Sequence, residues 1–401
     1  MQRKNHTKSY LKFNLLTLLF LSLFFCSSVF IQKVNADSDE IRAHEVCDAA
    51  FNALNEKFYF KSNVNFKKLN SKFNHKINDL EEAHKYINRL VKELKDPYTR
   101  FLTKEEFKDE QDLISSSFVG IGVKLASKKP VIINVLNNSP AQENEIKPND
   151  YILRVNNKST FGLNSSQVAY LMRGAKDTEL TIKLKRGNEV LTKTLLRKEL
   201  NFNVISSELL ENNIALVKID SFIPENTSFA FKDELTKLMS ADGIILDLRN
   251  NSGGLMKNAI EIADMFLDEG KIVSTVSNSG KTNQYANSSK LYDSSLIVLV
   301  NENTASASEI LASALRENNR AIIVGKKTFG KGLVQEIIKL PDESAMHITI
   351  AAYLTPNGNN INKKGLTPDE TVVNDDAQLK RAKEIISRLK ETGTKSRLAS
   401  L

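Results

Sequence analysis

The sequence predicts a mixed α/β fold in three parts: an N-terminal helical region, a small inserted β-barrel and a layered α/β core. Three observations carry this. Residues 200–375 alternate apolar runs of strand length with helical stretches, as a layered sheet domain does. Residues 115–199 break into short β-rich runs separated by turn residues. Residues 37–114 set apolar positions such as Ala49, Leu54 and Phe58 among long polar stretches, which reads as amphipathic helix.

Composition bounds the rest. At 401 residues the chain has room for two or three domains. Hydrophobic residues at 41% and charged residues at 26% exclude a disordered chain, a collagen and a polytopic membrane protein. Of the formal charge of +8, five charges (Arg3, Lys4, Lys8, Lys12, Lys33) fall in the first 36 residues, which hold no acid. The basicity is therefore mostly a targeting signal, and no nucleic-acid partner is expected.

Residues 1–36 read as a secretory signal peptide. A basic stretch ends near Lys12, an apolar run follows from Leu15 to Ile31, and Val34-Asn35-Ala36 offers a cleavage site. The run is about 17 residues, the lower edge of what spans a ~30 Å hydrocarbon core, so an uncleaved inner-membrane anchor is the alternative. Export to the periplasm or cell envelope is expected either way. Bulky Phe24 and Phe25 before Cys26 argue against a lipoprotein cysteine. After cleavage Cys47 is the sole cysteine, which forbids an intramolecular disulfide, and its neighbours Val46, Ala49 and Phe51 suggest core packing.

In the helical region a second helix runs from about Ile77 to Leu94 and stops at Asp96-Pro97, because proline disfavours helix in the residue before it. In the barrel region Phe118–Val123 leads into runs at 131–133, 151–155 and 180–184. Pro140, Pro148-Asn149-Asp150 and Arg186-Gly187-Asn188 mark turns, and one helix spans Ser165 to Met172. In the core, strands are expected at Ile214–Ile219, Gly243–Leu248, Leu296–Val300 and Ala321–Val324, with helices at about 227–239, 255–267 and 306–318. Residues 376–401 form a charged C-terminal helix and tail.

Three segments of the core could carry chemistry. Asn250-Asn251-Ser252-Gly253-Gly254 sets a glycine pair between a strand and a helix, where uncovered N–H groups suit an anion or a developing oxyanion. More than half of such pairs are only turns. Asn303–Glu309 again joins strand to helix, and Ser306-x-x-Glu309 fits a capping box, the simpler reading for a serine there. Gly325–Gly332 nearly matches a phosphate-binding loop, which makes nucleotide hydrolysis a rival. Against it, Gly332 stands where a hydroxyl should reach magnesium, Leu333 to Leu340 alternates like a strand, and an exported protein lacks cytosolic ATP.

That leaves Lys331 between two glycines. A lysine serves as a general base only when neutral; bringing its pKa from ~10.4 to ~7 costs roughly 4–5 kcal/mol against the cation. Burial beside a helix N-terminus can supply that, and serine with lysine is an alternative to the histidine triad. The four histidines after the signal (His44, His75, His84, His347) show no ligand-spaced cluster, so no metal or other cofactor is expected. Gln335, four residues after Lys331, can brace it.

Seven motifs in order closely resemble the carboxy-terminal processing peptidases: Asp96-Pro97-Tyr98-Thr99-Arg100-Phe101-Leu102, the glycine-bearing β-module, Leu246–Gly254, Thr304–Glu309, Thr328–Gln335, Tyr353-x-Thr355-Pro356-x-Gly358 and Gly365–Asp369. The match spans about residues 40–380. The resemblance implies a serine endopeptidase with a crotonase/Clp-protease-like layered catalytic core at 200–375 and an inserted PDZ domain at 115–199. It implies Ser306 as nucleophile, Lys331 as base, Gln335 orienting Lys331, and an oxyanion hole from the N–H groups of Gly254 and Ala307. Gly120-Ile121-Gly122-Val123 would hold a substrate carboxylate while the peptide pairs as an added strand, with Val168 and Leu171 shaping an apolar pocket. Arg173 falls where some members couple PDZ occupancy to the active site; an ordinary helix-end cation is the plain alternative. Glu317 stands where many members carry Asp.

The expected partners are protein or peptide substrates with apolar C-termini. The N-terminal helices offer a face for a homodimer, and an adaptor is a further candidate partner. The rival from another class is a catalytically idle PDZ scaffold that binds protein C-termini in the cell envelope.

Overall fold

The computed structural model describes residues 39–73, 77–115, 117–126, 129–136, 138–201, 203–288 and 290–392. The signal read over 1–36 lies outside the described residues, as does His75. No described helix is long and apolar enough to cross a membrane. The chain divides into two compact units, each drawn from separated stretches. One takes the residues up to Lys108 with Thr275–Lys281 and Leu333–Tyr353; the other takes Asp109–Ser274, Thr282–Gly332 and everything from Leu354 onward.

The first unit packs helices at 39–57, Phe66–Phe73 and Leu80–Glu93. Asp79 caps the last of these by accepting the Glu82 N–H at 2.8 Å, which satisfies one of the orphan donors of the first turn. Val46, Leu54, Phe58, Ile87 and Leu90 bury together with Met346 and Ile348, which come from a strand near the other end of the sequence. That strand, Ala345–Leu354, pairs antiparallel with Arg100–Leu102 (Arg100 opposite His347) and with Leu333–Lys339. Cys47 sits in this core at 4% exposure. Burial, with Asp48 and Asp342 nearby, pushes its thiol up to about 12. It is packing material.

The second unit holds the barrel and the layered core. Ile121, Ile132, Ile152, Val168 and Leu180 form the barrel's interior. Its helix is Ser165–Met172, opened by a capping box between Asn164 and Gln167. The layered core is a six-stranded sheet in the order Ile205–Leu210, Ile214–Ile219, Gly243–Asp247, Ser295–Val300, Ile322–Gly325, Glu370–Thr371, parallel from the second strand on. Every residue of Gly243–Asp247 and Ser295–Val300 is buried, which is why both read as unbroken apolar runs. Helix Asp375–Glu391 covers one face, with Ile385, Ile386 and Leu389 against Ile245, Ile297 and Leu299.

The expected core strands and helices form within a few residues of their predicted ends. Gly325–Gly332 leads into the strand Leu333–Lys339, so no phosphate-loop helix follows. The strand pair Lys271–Ser277 and Gly280–Tyr285 was not foreseen. Its second strand is exposed throughout and carries no alternating pattern to announce it.

Candidate active site

Two loops meet at the carboxyl ends of adjacent parallel strands, where open α/β sheets collect their ligand-binding segments. One follows Gly243–Asp247 and the other follows Ser295–Val300. Asparagines stitch them together. The Asn250 N–H donates to Asn301 Oδ1 at 3.0 Å, and the Asn301 and Asn303 amides both donate to Asn250 Oδ1 at 2.9 Å. The Thr304 hydroxyl donates to the Leu248 carbonyl at 2.9 Å. Fully buried Asn251 accepts the Gly253 N–H (2.9 Å) on its side chain, and its carbonyl accepts the Ala305 N–H and the Ser308 hydroxyl, each at 3.0 Å.

Ser306 stands where this second loop enters the buried helix Ala307–Glu317, at φ 58° and ψ −119°. An ordinary N-cap lies in the β region. A non-glycine residue held outside the common regions is strained by about 1–3 kcal/mol, a cost met chiefly at functional turns. A sharp strand-to-helix turn of this kind is how a nucleophilic hydroxyl is displayed. Ser306 and Glu309 keep the capping-box pairing that the sequence predicts, and the strained turn adds a displayed hydroxyl to it.

Gly253 and Gly254 lie against that turn. A Cβ on Gly253 (φ +98°) would sit 2.8 Å from Ser306 Cβ and 2.9 Å from the Ala307 nitrogen. Gly254 bridges Phe222, whose N–H donates to the Gly253 carbonyl (2.9 Å) and whose carbonyl accepts the Leu255 N–H (2.8 Å). With residues 253 and 255 bonded on one side, the N–H of Gly254 turns to the other. The Ala307 N–H is one of the first-turn donors that a helix leaves without an internal partner. Gly253 thus abuts Ser306, with Gly254 next to it in the chain and Ala307 directly after the serine.

Lys331 is half-buried and lies on a third loop, whose glycines permit close approach to a turn at 361–365. A Cβ on Gly330 (φ +86°) would fall 2.6 Å from the Gly365 nitrogen, and one on Gly332 would fall 2.7 Å from the Asn362 nitrogen. The Phe329 N–H donates to the Thr304 carbonyl at 3.0 Å, tying this loop to the serine's.

Glu309 is the residue that sequence reasoning under-read. It is fully buried. Its Oε2 accepts the N–H of Ser306 and the N–H of Lys331, and its Oε1 accepts the Thr328 hydroxyl (2.5 Å) and the Gly330 N–H (2.8 Å). Burial pushes its carboxyl above the usual range, while Thr328 and the N–H groups of Ser306, Lys331 and Gly330 pull the other way. As a cap it would have served its own helix. Here it also holds the lysine loop. A lone acid inside the apolar run Ala305–Leu315 was the available signal, since a buried charge needs partners.

The other predicted residues are distributed as follows. Gln335 lies in the first unit, on Leu333–Lys339, opposite Thr349. Gly120 ends the strand Ser117–Gly120, and Val123 begins Val123–Leu125. Gly122 (φ +82°) has no room for a side chain, because a Cβ would meet Ser139 Cβ at 2.3 Å. Among the described residues Val123–Leu125 pairs only with Ile132–Val135, so one edge is open for an added strand. Ile121 and Val168 are buried in the barrel core, and Leu171 packs half-buried at its margin. Arg173 follows Met172 at the helix end and forms an ion pair with Asp109. Glu317 accepts the Asn357 N–H at 2.7 Å and so holds the turn after Thr355. No cluster able to hold a metal exists among the described residues.

Comparison with known proteins places the chain in a family. Residues 213–372 match Peptidase family S41, and residues 117–196 match the PDZ domain. The carboxy-terminal processing protease CtpA of Bacillus subtilis is 36% identical over 315 residues, covering 77% of this chain and 67% of that protein. A carboxyl-terminal-processing protease of Picosynechococcus is 38% identical over 304 residues, covering 73% of each. Of a probable CtpA-like serine protease of Staphylococcus aureus, 36% identical, the chain spans 63%, less than two thirds of its length. Among solved structures, a photosystem II D1 C-terminal processing protease superposes with a TM-score of 0.56 at 28% identity, over 82% of this chain and 92% of that one. The chain belongs to peptidase family S41 and is a serine-type carboxy-terminal processing protease with a PDZ domain.

Proposed function

We propose that this protease is exported to the cell envelope, takes protein substrates by their apolar C-termini and cuts them with a Ser306–Lys331 dyad. Ser306 Oγ attacks the scissile carbonyl carbon as neutral Lys331 takes its proton. The tetrahedral oxyanion draws on the N–H groups of Gly254 and Ala307, each donor being worth about 3 kcal/mol. Collapse expels the amine, which takes the proton back from Lys331, and water then hydrolyses the acyl-enzyme with Lys331 again as base. Gln335, four residues along the chain, is assigned the bracing of Lys331.

The observation that carries this reading is the shared carboxylate of Glu309, which accepts backbone N–H groups from the serine turn and the lysine loop alike. A scaffold that only bound C-termini would have no use for it. At the PDZ domain, the open edge of Val123–Leu125 next to the Gly122 turn supports capture of a C-terminal strand.

The test compares mature wild type with Ser306→Ala and Lys331→Ala on an unfolded protein ending in apolar residues, with products read by mass spectrometry. Wild type should cut while both variants bind without cutting. Appending a charged residue to the substrate C-terminus should raise KM. Wild type that binds the C-terminus and never cuts would return the idle-scaffold reading.

A further inference from the structure

A polar chain in the first unit ends on Gln335. The strands Leu333–Lys339 and Ala345–Leu354 set Gln335 opposite Thr349, and the register shifts between Val334 and Gln335. A bulge bends its strand and re-aims the side chain beside it, and bulges are over-represented next to active sites. Thr349 is fully buried. Its hydroxyl lies 2.6 Å from Asp96 Oδ2 and 3.4 Å from Gln335 Nε2. Asp96 is itself fixed: Oδ2 also accepts the Thr99 hydroxyl (2.6 Å) and the Thr99 N–H (3.1 Å), and the Thr99 hydroxyl oxygen accepts the Thr349 N–H (3.1 Å).

Counting protons gives this chain a direction. An ionised carboxylate accepts and cannot donate, while a threonine hydroxyl has one proton and two lone pairs. Thr349 gives its proton to Asp96. Toward Gln335 it then has only a lone pair to offer, which the amide N–H can meet and the amide carbonyl cannot. The amide is therefore held with Nε2 toward Thr349 and its carbonyl oxygen turned away. Only the carbonyl end can accept a hydrogen bond from a lysine.

We propose that Asp96, acting through the Thr349 hydroxyl, is a positioning residue that fixes the flip of the Gln335 amide. This rests on the reading of Gln335 as the lysine's brace. Asp96→Asn lets residue 96 donate to Thr349, frees the Thr349 proton for Gln335 and inverts the amide. Thr349→Val keeps the shape and removes the relay. An acceptor stabilises the lysine's cation more than its neutral form, so losing it lowers the lysine's pKa.

The experiment measures kcat and KM against pH on the same unfolded substrate, with urea melts alongside. Asp96→Asn and Thr349→Val should lower kcat roughly tenfold to a hundredfold at little-changed KM, and move the acid limb of kcat/KM to lower pH. Thr349→Ser should restore most of the rate, and Asp96→Asn should add little in a Gln335→Ala background. The proposal is overturned if Gln335→Ala slows catalysis while Thr349→Val keeps both the wild-type rate and the wild-type acid limb, or if Asp96→Asn costs as much without Gln335 as with it. A silent Gln335→Ala would remove the brace itself, a failure recognisably different from failure of the relay. Should Asp96→Asn not fold, the near-isosteric Thr349→Val and its serine counterpart decide alone.

Discussion

Ser306 and Lys331 donate their backbone N–H groups to one and the same atom, Oε2 of Glu309, each at 2.9 Å. One buried oxygen thereby sets the spacing of the Ser306 turn and the Lys331 loop. Glutamine at 309 would keep the shape but turn an NH2 group toward two of the four donors. Each buried donor left facing it costs about 1–3 kcal/mol. Glu309→Gln should therefore lose about 2–6 kcal/mol in urea unfolding and reduce kcat by roughly a hundredfold or more, with KM changing less. A Glu309→Gln enzyme that turns over at the wild-type rate would show the shared acceptor to be incidental.

Gly254 tests the oxyanion assignment. A Cβ there would lie 2.2 Å from the Ile223 nitrogen and the Phe222 carbonyl carbon, so Gly254→Ala must displace the very backbone that aims the donor. Loss of one such donor costs roughly 10²–10³ in kcat. Gly187 (φ +58°), on a barrel turn with open space around its Cβ position, provides the control. Gly187→Ala should cost about 1 kcal/mol of stability and leave kcat in place. Equal kinetic effects from the two substitutions would contradict the assignment.

Arg249 anchors the loop that leads to those glycines. Its guanidinium grips Asp247 at 2.6 and 2.9 Å and donates to the Asp375 carbonyl at 2.8 Å, with 14% of the side chain exposed. Lysine lacks the planar fork. Arg249→Lys should cost about 1–3 kcal/mol, and Arg249→Ala, which strands a buried carboxylate, about 3–5 kcal/mol. Denaturant midpoints of the two variants, with Asp247→Asn added to each, should show the alanine penalty shrinking once the orphaned charge is gone.

The pair His84–Asp342 gives the first unit an acid-sensitive clasp. His84 Nε2 lies 2.6 Å from Asp342 Oδ2, and the Ser344 hydroxyl donates to Oδ1 at 2.5 Å. Burial pushes the Asp342 carboxyl up, but Ser344 and His84 outweigh it and hold the group below its ordinary value. The unfolded chain then binds the proton at a higher pH than the folded one. The resulting stability is complete above the ordinary aspartate range of ~3.9 and drains away as pH falls through the lower folded value. Urea midpoints taken from pH 6 down to 3 should show this loss in wild type and a shallower one in Asp342→Asn. Parallel curves would rule the clasp out.

Much of the core was legible because its physics is local. Apolar runs such as Ser295–Val300 announce strands buried on both faces, and Ser165–Met172 is framed by its own capping pair. The site's residue types were legible too, since a serine at a helix start and a glycine-flanked lysine are visible in the sequence. Their connection was not. Glu309 reads as the partner of Ser306, three residues away, and nothing local tells that its carboxylate also takes the N–H of Lys331. Asp96 likewise reads as a helix stop before proline, while its bond to Thr349 reaches across 253 residues of sequence. Short-range spacing reveals caps and faces; it is silent on which distant loops share an acceptor.

The pairing of Arg100 with His347 has a consequence for how the protein comes to be folded. The N-terminal helices bury their apolar faces against Met346 and Ile348, residues that emerge from synthesis long after them. Contacts so far apart in sequence make for slow folding, because loop closure must precede any gain from the contact. Until the strand Ala345–Leu354 arrives, the helical segment is a set of sticky amphipathic surfaces without a completed interior. Truncation anywhere before that strand should therefore yield an aggregating fragment, and the first helices to be made are among the last to become native.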